Sequence, residues 1–178
     1  MNYSEWLYIL DSDLHYIDYC DYLKTKYGQP PYAYFRPDWT RCSNNSRIVD
    51  GLFIHHVAEN SHIQLSTVEF AREAPYDVQL PEFLVYCDYL EHLWLHMLIF
   101  SEYGYPYGGG GVQNYMIPEL FRLYNGINMN VPKYKQICFD KVRNDFYCFQ
   151  RMVYFWCTFL YELQVSTYKK KVRIKTDG

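Results

Sequence analysis

Gly51-Leu-Phe-Ile-His55-His56-Val57 and, further on, Phe83-Leu-Val-Tyr-Cys-Asp88-Tyr-Leu-Glu91-His92-Leu-Trp-Leu-His96-Met-Leu-Ile99 decide how this chain is read. Four of its six histidines fall in these two stretches, as one adjacent pair and one pair four residues apart. On a helix, residues four apart share a face, so His92 and His96 can present two imidazoles to a single ion. On a strand, neighbours point to opposite sides, so His55 and His56 divide the work between them. The count implies three histidines for a metal and one left for chemistry.

Local signals place these groups on defined elements. Arg47 to Val57 reads either as two short β segments meeting at Asp50-Gly51 or as a turn feeding one strand that ends at the histidines. Ala58 to Leu65 is polar and reads as a loop. Ser66-Thr-Val-Glu69 has the spacing of a capping box for a short helix that Pro75 terminates. Pro81 to Cys87 is compact and apolar, as a second strand would be. Asp88-Tyr-Leu-Glu91 is a second box, predicting a helix from Asp88 to about Phe100 that carries His92 and His96.

Outward from this centre, residues 4–26 show helical spacing at Leu7, Leu10, Leu14, Ile17 and Leu23, with Ser4 as N-cap and Gly28-Gln-Pro30-Pro31 as the stop. Residues 31–46 are irregular. Tyr103 to Gly111 contains Gly108 to Gly111 in a row and reads as a loop, a connector or a lid, because ordered glycine loses the most backbone entropy. Pro118 opens a short helix that Asn125-Gly126 ends. From Pro132 to about Val165 the apolar residues alternate threes and fours, predicting one long helix with an aromatic seam, whose surplus would suit a homodimer interface. The tail Tyr168-Lys169-Lys170-Lys171-Val172-Arg173 holds the one concentrated basic patch, where nucleic acid would be gripped.

Composition sets outer limits. A chain of 178 residues is the length of one domain, here divided as 1–46, a core at 47–103 and 104–178. Aromatic residues make up 20% of it, too many for a disordered chain. A net charge of −3 gives no global attraction to nucleic acid or to anionic membranes, so any nucleic-acid partner needs a local patch. The six cysteines lack a C-x-x-C pair and read as reduced, hence a cytoplasmic setting. The N-terminus has no basic and apolar leader pattern, and the longest apolar run, Met152 to Tyr161, is about half a membrane span. The expected class is α+β and mostly α-helical, with no membrane partner.

A His-His pair ending a strand, then a loop, a second strand and a helix bearing His-x-x-x-His, resembles the ββα-metal (HNH) endonucleases, as in colicin-type DNases and phage HNH enzymes. The family pattern runs His-His, loop, Asn, eight residues, His, three residues, His, and position 83 has that spacing to His92 and His96. The resemblance covers about residues 47–100, a ββα-metal core wrapped by N- and C-terminal helices. It implies that His55, His92 and His96 hold one divalent ion (Zn, Mg, Mn or Ni) and that His56 is the general base activating water. The implied activity is phosphodiester hydrolysis in DNA, in a phage, mobile-element or restriction setting. Phe83 stands where the family has its Asn, and Asn60 is the loop residue that could replace it. A catalytically inactive, zinc-stabilised binding or inhibitor protein is the alternative. His15 and His62 read as surface residues.

Overall fold

A computed structural model describes residues 1–127 and 131–176, with side chains as far as residue 167. The chain is mostly helical with one small antiparallel sheet. Its centre is the order strand, strand, helix: β1 (Phe53–His56), β2 (Leu84–Cys87) and α4 (Tyr89–Tyr103). The register pairs Phe53 with Cys87 and His56 with Leu84. Of the two readings at Asp50-Gly51, the turn is found: Ile48–Asp50 is a single 3-10 turn, and Gly51 takes φ 72° before β1 begins. Between the strands lie a 3-10 turn at Val57–Asn60 and α3 (Val68–Ala71). Thr67 rather than Ser66 precedes α3, and no side-chain cap forms. Pro81–Phe83 is a 3-10 turn, so β2 starts three residues later than its apolar run.

Helix α4 forms where the capping box predicts. The Asp88 side chain accepts from the Glu91 amide at 2.9 Å, and the Glu91 carboxylate accepts from the Asp88 amide at 2.6 Å. Both acids are fully buried, which would be costly without counter-charge. Lys26 Nζ, 2.7 Å from Glu91, and the Met1 amino group on Asp88 supply it. The helix is apolar nearly all round, with Leu90, Leu93, Leu95 and Ile99 at zero exposure, so it is the central rod of the core. It packs against α2 (Tyr16–Tyr27), α7 (Lys133–Val142), α8 (Phe146–Thr176) and both strands.

Three expected elements come out differently. Residues 4–26 form two helices, α1 (Tyr3–Asp11) and α2, because Asp13 turns left-handed at φ 47°. Asp11-Ser12-Asp13 competes for its own backbone, and Asp tolerates that region. Asn2, not Ser4, caps α1, accepting from the Glu5 amide at 2.9 Å. The long C-terminal helix is also two, since Arg143-Asn144-Asp145 interrupts α7 and α8, and the Asp145 backbone carbonyl accepts from the Phe149 amide, in the first turn of α8, at 3.1 Å. Apolar spacing runs through this break, which is why periodicity alone bridged it.

Of the expected loop, Gly104 to Gly108 is irregular, but the last three glycines are helical. Gly109–Gly111 (α5) continues through a π-helical turn at Val112–Met116 into α6 (Ile117–Tyr124). The entropy cost is real, yet close packing decides: a Cβ on Gly109 would sit 2.6 Å from the Phe100 ring, and one on Gly111 would lie 3.2 Å from His96 Nδ1. Only glycine lets this helix lie against the histidine face of α4. No helix among the described residues is long and apolar enough to cross a membrane. All six cysteines are free, and only Cys157 is exposed. The side chains of Lys169, Lys170, Lys171 and Arg173 lie outside the described residues.

Candidate metal centre

Strand alternation sends His55 toward α4 and His56 the other way. One turn of α4 separates His92 from His96, and β1 crosses beside that turn, so three imidazoles meet. Ring centroids are 5.3 Å apart for His55 and His92, 5.1 Å for His55 and His96, and 4.9 Å for the α4 pair. One nitrogen from each lies within 4.8 Å of the other two, close enough for the three to hold one metal ion. His92 Nε2 and His96 Nε2 are 3.3 Å apart.

A fourth group joins them that no sequence pattern singled out. Glu59, in the 3-10 turn after β1, brings Oε2 to 3.4 Å from His96 Nε2 and 3.7 Å from His55 Nδ1. Its place depends on the strand breaking into a tight turn at Val57. The polar composition of Ala58 to Leu65 gave no hint of an inward-facing acid.

The donor set suits an ion. His55 Nδ1, the nitrogen turned toward the cluster, is buried without a hydrogen-bond partner. Burial, followed by the neighbouring imidazoles, holds His55 and His92 well below the usual histidine range, and burial alone brings His96 down to about 4. Neutral imidazoles keep their lone pairs free at neutral pH, as metal binding requires. Burial pushes Glu59 up to about 8, opposed by the Leu65 amide.

The centre lies in the wall of an open cavity of about 710 Å³, lined among others by Glu59, His92, His96, Asn114 and Lys135. A second hollow of about 350 Å³ shares His92, Tyr115 and Lys135 with it and continues to Arg41, Arg47 and Tyr134. Lys135 is paired with Glu119 at 2.7 Å and Arg47 with Asp50 at 2.7 Å. Arg41 lies over the Tyr34 ring, 4.9 Å from its centroid.

His56 is elsewhere. It has no exposed surface, its Nε2 pairs with Gln79 Oε1 at 3.0 Å, and its ring packs against Tyr34 with centroids 4.6 Å apart. Burial lowers it to about 4, opposed by Gln79. Phe83 stands partly exposed in its 3-10 turn, and Asn60 ends the turn that carries Glu59. His15 precedes α2 and faces Glu102 at 3.6 Å, and His62 is half-buried in the loop beyond Ser61.

Acid sensitivity follows from the four lowered histidines. Well above pH 6.5 both folded and unfolded chains hold them neutral, and their contribution to stability is complete. As pH falls from 6.5 towards 4, the unfolded chain takes up protons that the fold refuses, so stability falls. His56 and His96 each account for about 3 kcal/mol by pH 4, at about 1.4 kcal/mol per unit. The raised carboxyls of Glu59, Glu91 and Asp145 work in the opposite sense above pH 4.5 and reduce the slope. The lowered Glu5 adds to the acid loss, and the imidazoles outnumber the opposing groups. Urea midpoints of the metal-free protein should fall steadily from pH 6.5 to 4. A flat profile over that window would contradict burial of four neutral imidazoles.

No family model, curated protein or solved structure matches the chain.

Proposed function

We propose that the chain is a metal-dependent hydrolase of phosphodiester bonds in DNA, of the HNH type. The observation that carries this reading is the convergence of three imidazoles and Glu59 in the wall of an open cleft that has Lys135 on its rim and Arg41 further along. His55 Nδ1, His92 Nε2 and His96 Nε2 would hold one divalent ion. When bound, such an ion supplies charge stabilisation to a phosphoryl oxygen and to the departing oxygen. Lys135 and Asn114 offer donors to a phosphate in the cleft, and Arg41 to a phosphate beyond it.

The proton acceptor in this reading is Glu59, whose ionised form the charge of a bound divalent ion beside it would favour against the burial that raises it. It faces the cleft, whereas His56 is sealed behind β1 with Nε2 committed to Gln79. General-base groups must come within hydrogen-bond reach of the water they deprotonate, or reach it through one more water. His56 instead ties β1 to the loop through Gln79, whose side-chain amide donates to the Leu65 carbonyl at 3.4 Å.

One geometric feature favours a second reading, an inactive zinc-stabilised domain. A tetrahedral site with ligands at about 2.0–2.1 Å has edges of about 3.3 Å. The His92–His96 and His96–Glu59 separations of 3.3 Å and 3.4 Å fit two such edges, and a shift of Glu59 toward His92 would make it a fourth ligand that closes the ion to substrate. Supercoiled plasmid incubated with the protein in Mg, Mn, Ni or Zn parts the two. Under the hydrolase reading, wild type nicks or linearises the plasmid, and Glu59→Gln lowers the rate about 10²–10⁴-fold while still binding metal. Inert protein in all four ions, with metal still raising its melting temperature, leaves the zinc-stabilised reading standing.

A further inference from the structure

We infer that Tyr16 is a positioning residue for the metal centre: it fixes His55 as the Nε2–H tautomer and so turns the Nδ1 lone pair toward His92, His96 and Glu59. The inference rests on the metal site of the reading above and is independent of phosphodiester cleavage.

Besides the Cys20 thiol, which can donate its S–H to the phenol oxygen, three acceptor-capable atoms surround the Tyr16 hydroxyl. The Val57 carbonyl lies 2.9 Å away, the His56 carbonyl 3.4 Å and His55 Nε2 2.8 Å. A phenol has one hydrogen, and carbonyl oxygens only accept. The hydrogen therefore goes to Val57, the nearer carbonyl, and the 2.8 Å contact to Nε2 is closed by a hydrogen on the imidazole. A neutral ring with hydrogen on Nε2 has its free pair on Nδ1. That atom is buried, without a hydrogen-bond partner, and 3.7 Å from Glu59 Oε2. The reverse assignment would strip both carbonyls of the hydroxyl hydrogen and leave the Nδ1–H without an acceptor in hydrogen-bond reach, Glu59 Oε2 lying 3.7 Å away.

Tyr16 can hold this geometry because it does not move freely. It is the first residue of α2, has no exposed surface, and its backbone amide donates to Glu102 Oε1 on α4 at 2.7 Å. The hydroxyl thus bridges α2 to β1 at the histidine itself. Partners of this kind, on the far side of a ligand ring, characteristically set which nitrogen faces the ion and are worth about ten- to a hundredfold in metal affinity.

Two measurements test the inference. In metal-free, ¹⁵N-labelled wild type, long-range ¹H–¹⁵N correlation spectra should show His55 protonated at Nε2 and bare at Nδ1. In Tyr16→Phe that preference should weaken, and affinity for zinc or cobalt(II), measured by competition with a chromophoric chelator, should fall about ten- to a hundredfold. Leu23→Ala, equally buried on α2 and about two turns beyond Tyr16, controls for lost stability and should keep wild-type affinity among its folded molecules. His55 protonated at Nδ1 in wild type overturns the inference, as does Tyr16→Phe with unchanged tautomer and affinity. If wild type binds neither metal, the metal reading falls, while the metal-free spectra still decide what Tyr16 does.

Discussion

His92→Ala and His96→Ala should each lose the metal ion and, with it, any metal-dependent gain in melting temperature. Structural zinc sites deliver about 10–16 kcal/mol of binding free energy across their ligands, so one imidazole of three or four carries about 3–4 kcal/mol. That share corresponds to a loss of affinity of about two to three orders of magnitude. Zinc at a hundred times its dissociation constant stabilises a fold by about 2.7 kcal/mol. For a domain of this size, about 2–4 °C per kcal/mol makes the wild-type gain about 5–10 °C. Both variants should melt at the same temperature with and without zinc, and plasmid cleavage should vanish with the ion. The His55→Ala variant should behave alike, whereas His15→Ala and His62→Ala, whose side chains lie outside the cluster, should keep the full gain. Metal content by elemental analysis checks the result directly. Unchanged zinc in all three cluster variants would remove both the hydrolase and the zinc-stabilised readings.

The part of this centre that was legible in the sequence is the part encoded by local rules. Strand alternation separated His55 from His56, helical spacing joined His92 to His96, and the Asp88 and Glu91 pair fixed where α4 begins. Convergence of the three rings then needed only that β1 and α4 lie side by side. Glu59 and Tyr16 were illegible for a different reason. Glu59 enters through a tight turn with no periodicity of its own, and Tyr16 comes from a helix 39 residues away in sequence, where its tyrosine looks like any of 21. Neither position carries a local signal, because what makes each of them matter is a contact made only by the folded chain.

The same division explains the role expected of His56. Its neighbourhood in sequence is that of a strand-end histidine pair, and strand alternation correctly turns it away from the other three. What lies on that side is set by residues 34 and 79, which bring a ring and an amide and close the space to water. A residue's direction is local information; the company it meets there is not.

The glycines beside His96 show how strongly such company can be selected, and Gly108→Ala should be among the most damaging single changes in the chain. Gly108 has φ 69°, where an L side chain costs about 1–2 kcal/mol. A Cβ there would also come within 2.3 Å of the His96 carbonyl oxygen and 2.9 Å of the Phe100 amide nitrogen. Both are backbone atoms of α4, the rigid centre of the core, so relief requires α5 to move away from the helix that carries the metal ligands. The expected loss is about 4 kcal/mol or more, with metal affinity reduced as well because the α5 wall beside His96 shifts. Gly28→Ala provides the comparison, since Gly28 has φ 78° but nothing within 4 Å of a Cβ, and its cost should be the backbone strain alone. Urea denaturation of the two variants compares a positive-φ site with backbone contacts to one without, and the loss at Gly108 should be the larger by about 2 kcal/mol or more. Equal losses would mean that α5 yields freely, and the close packing of the glycine run on His96 would then have no part in shaping the metal centre.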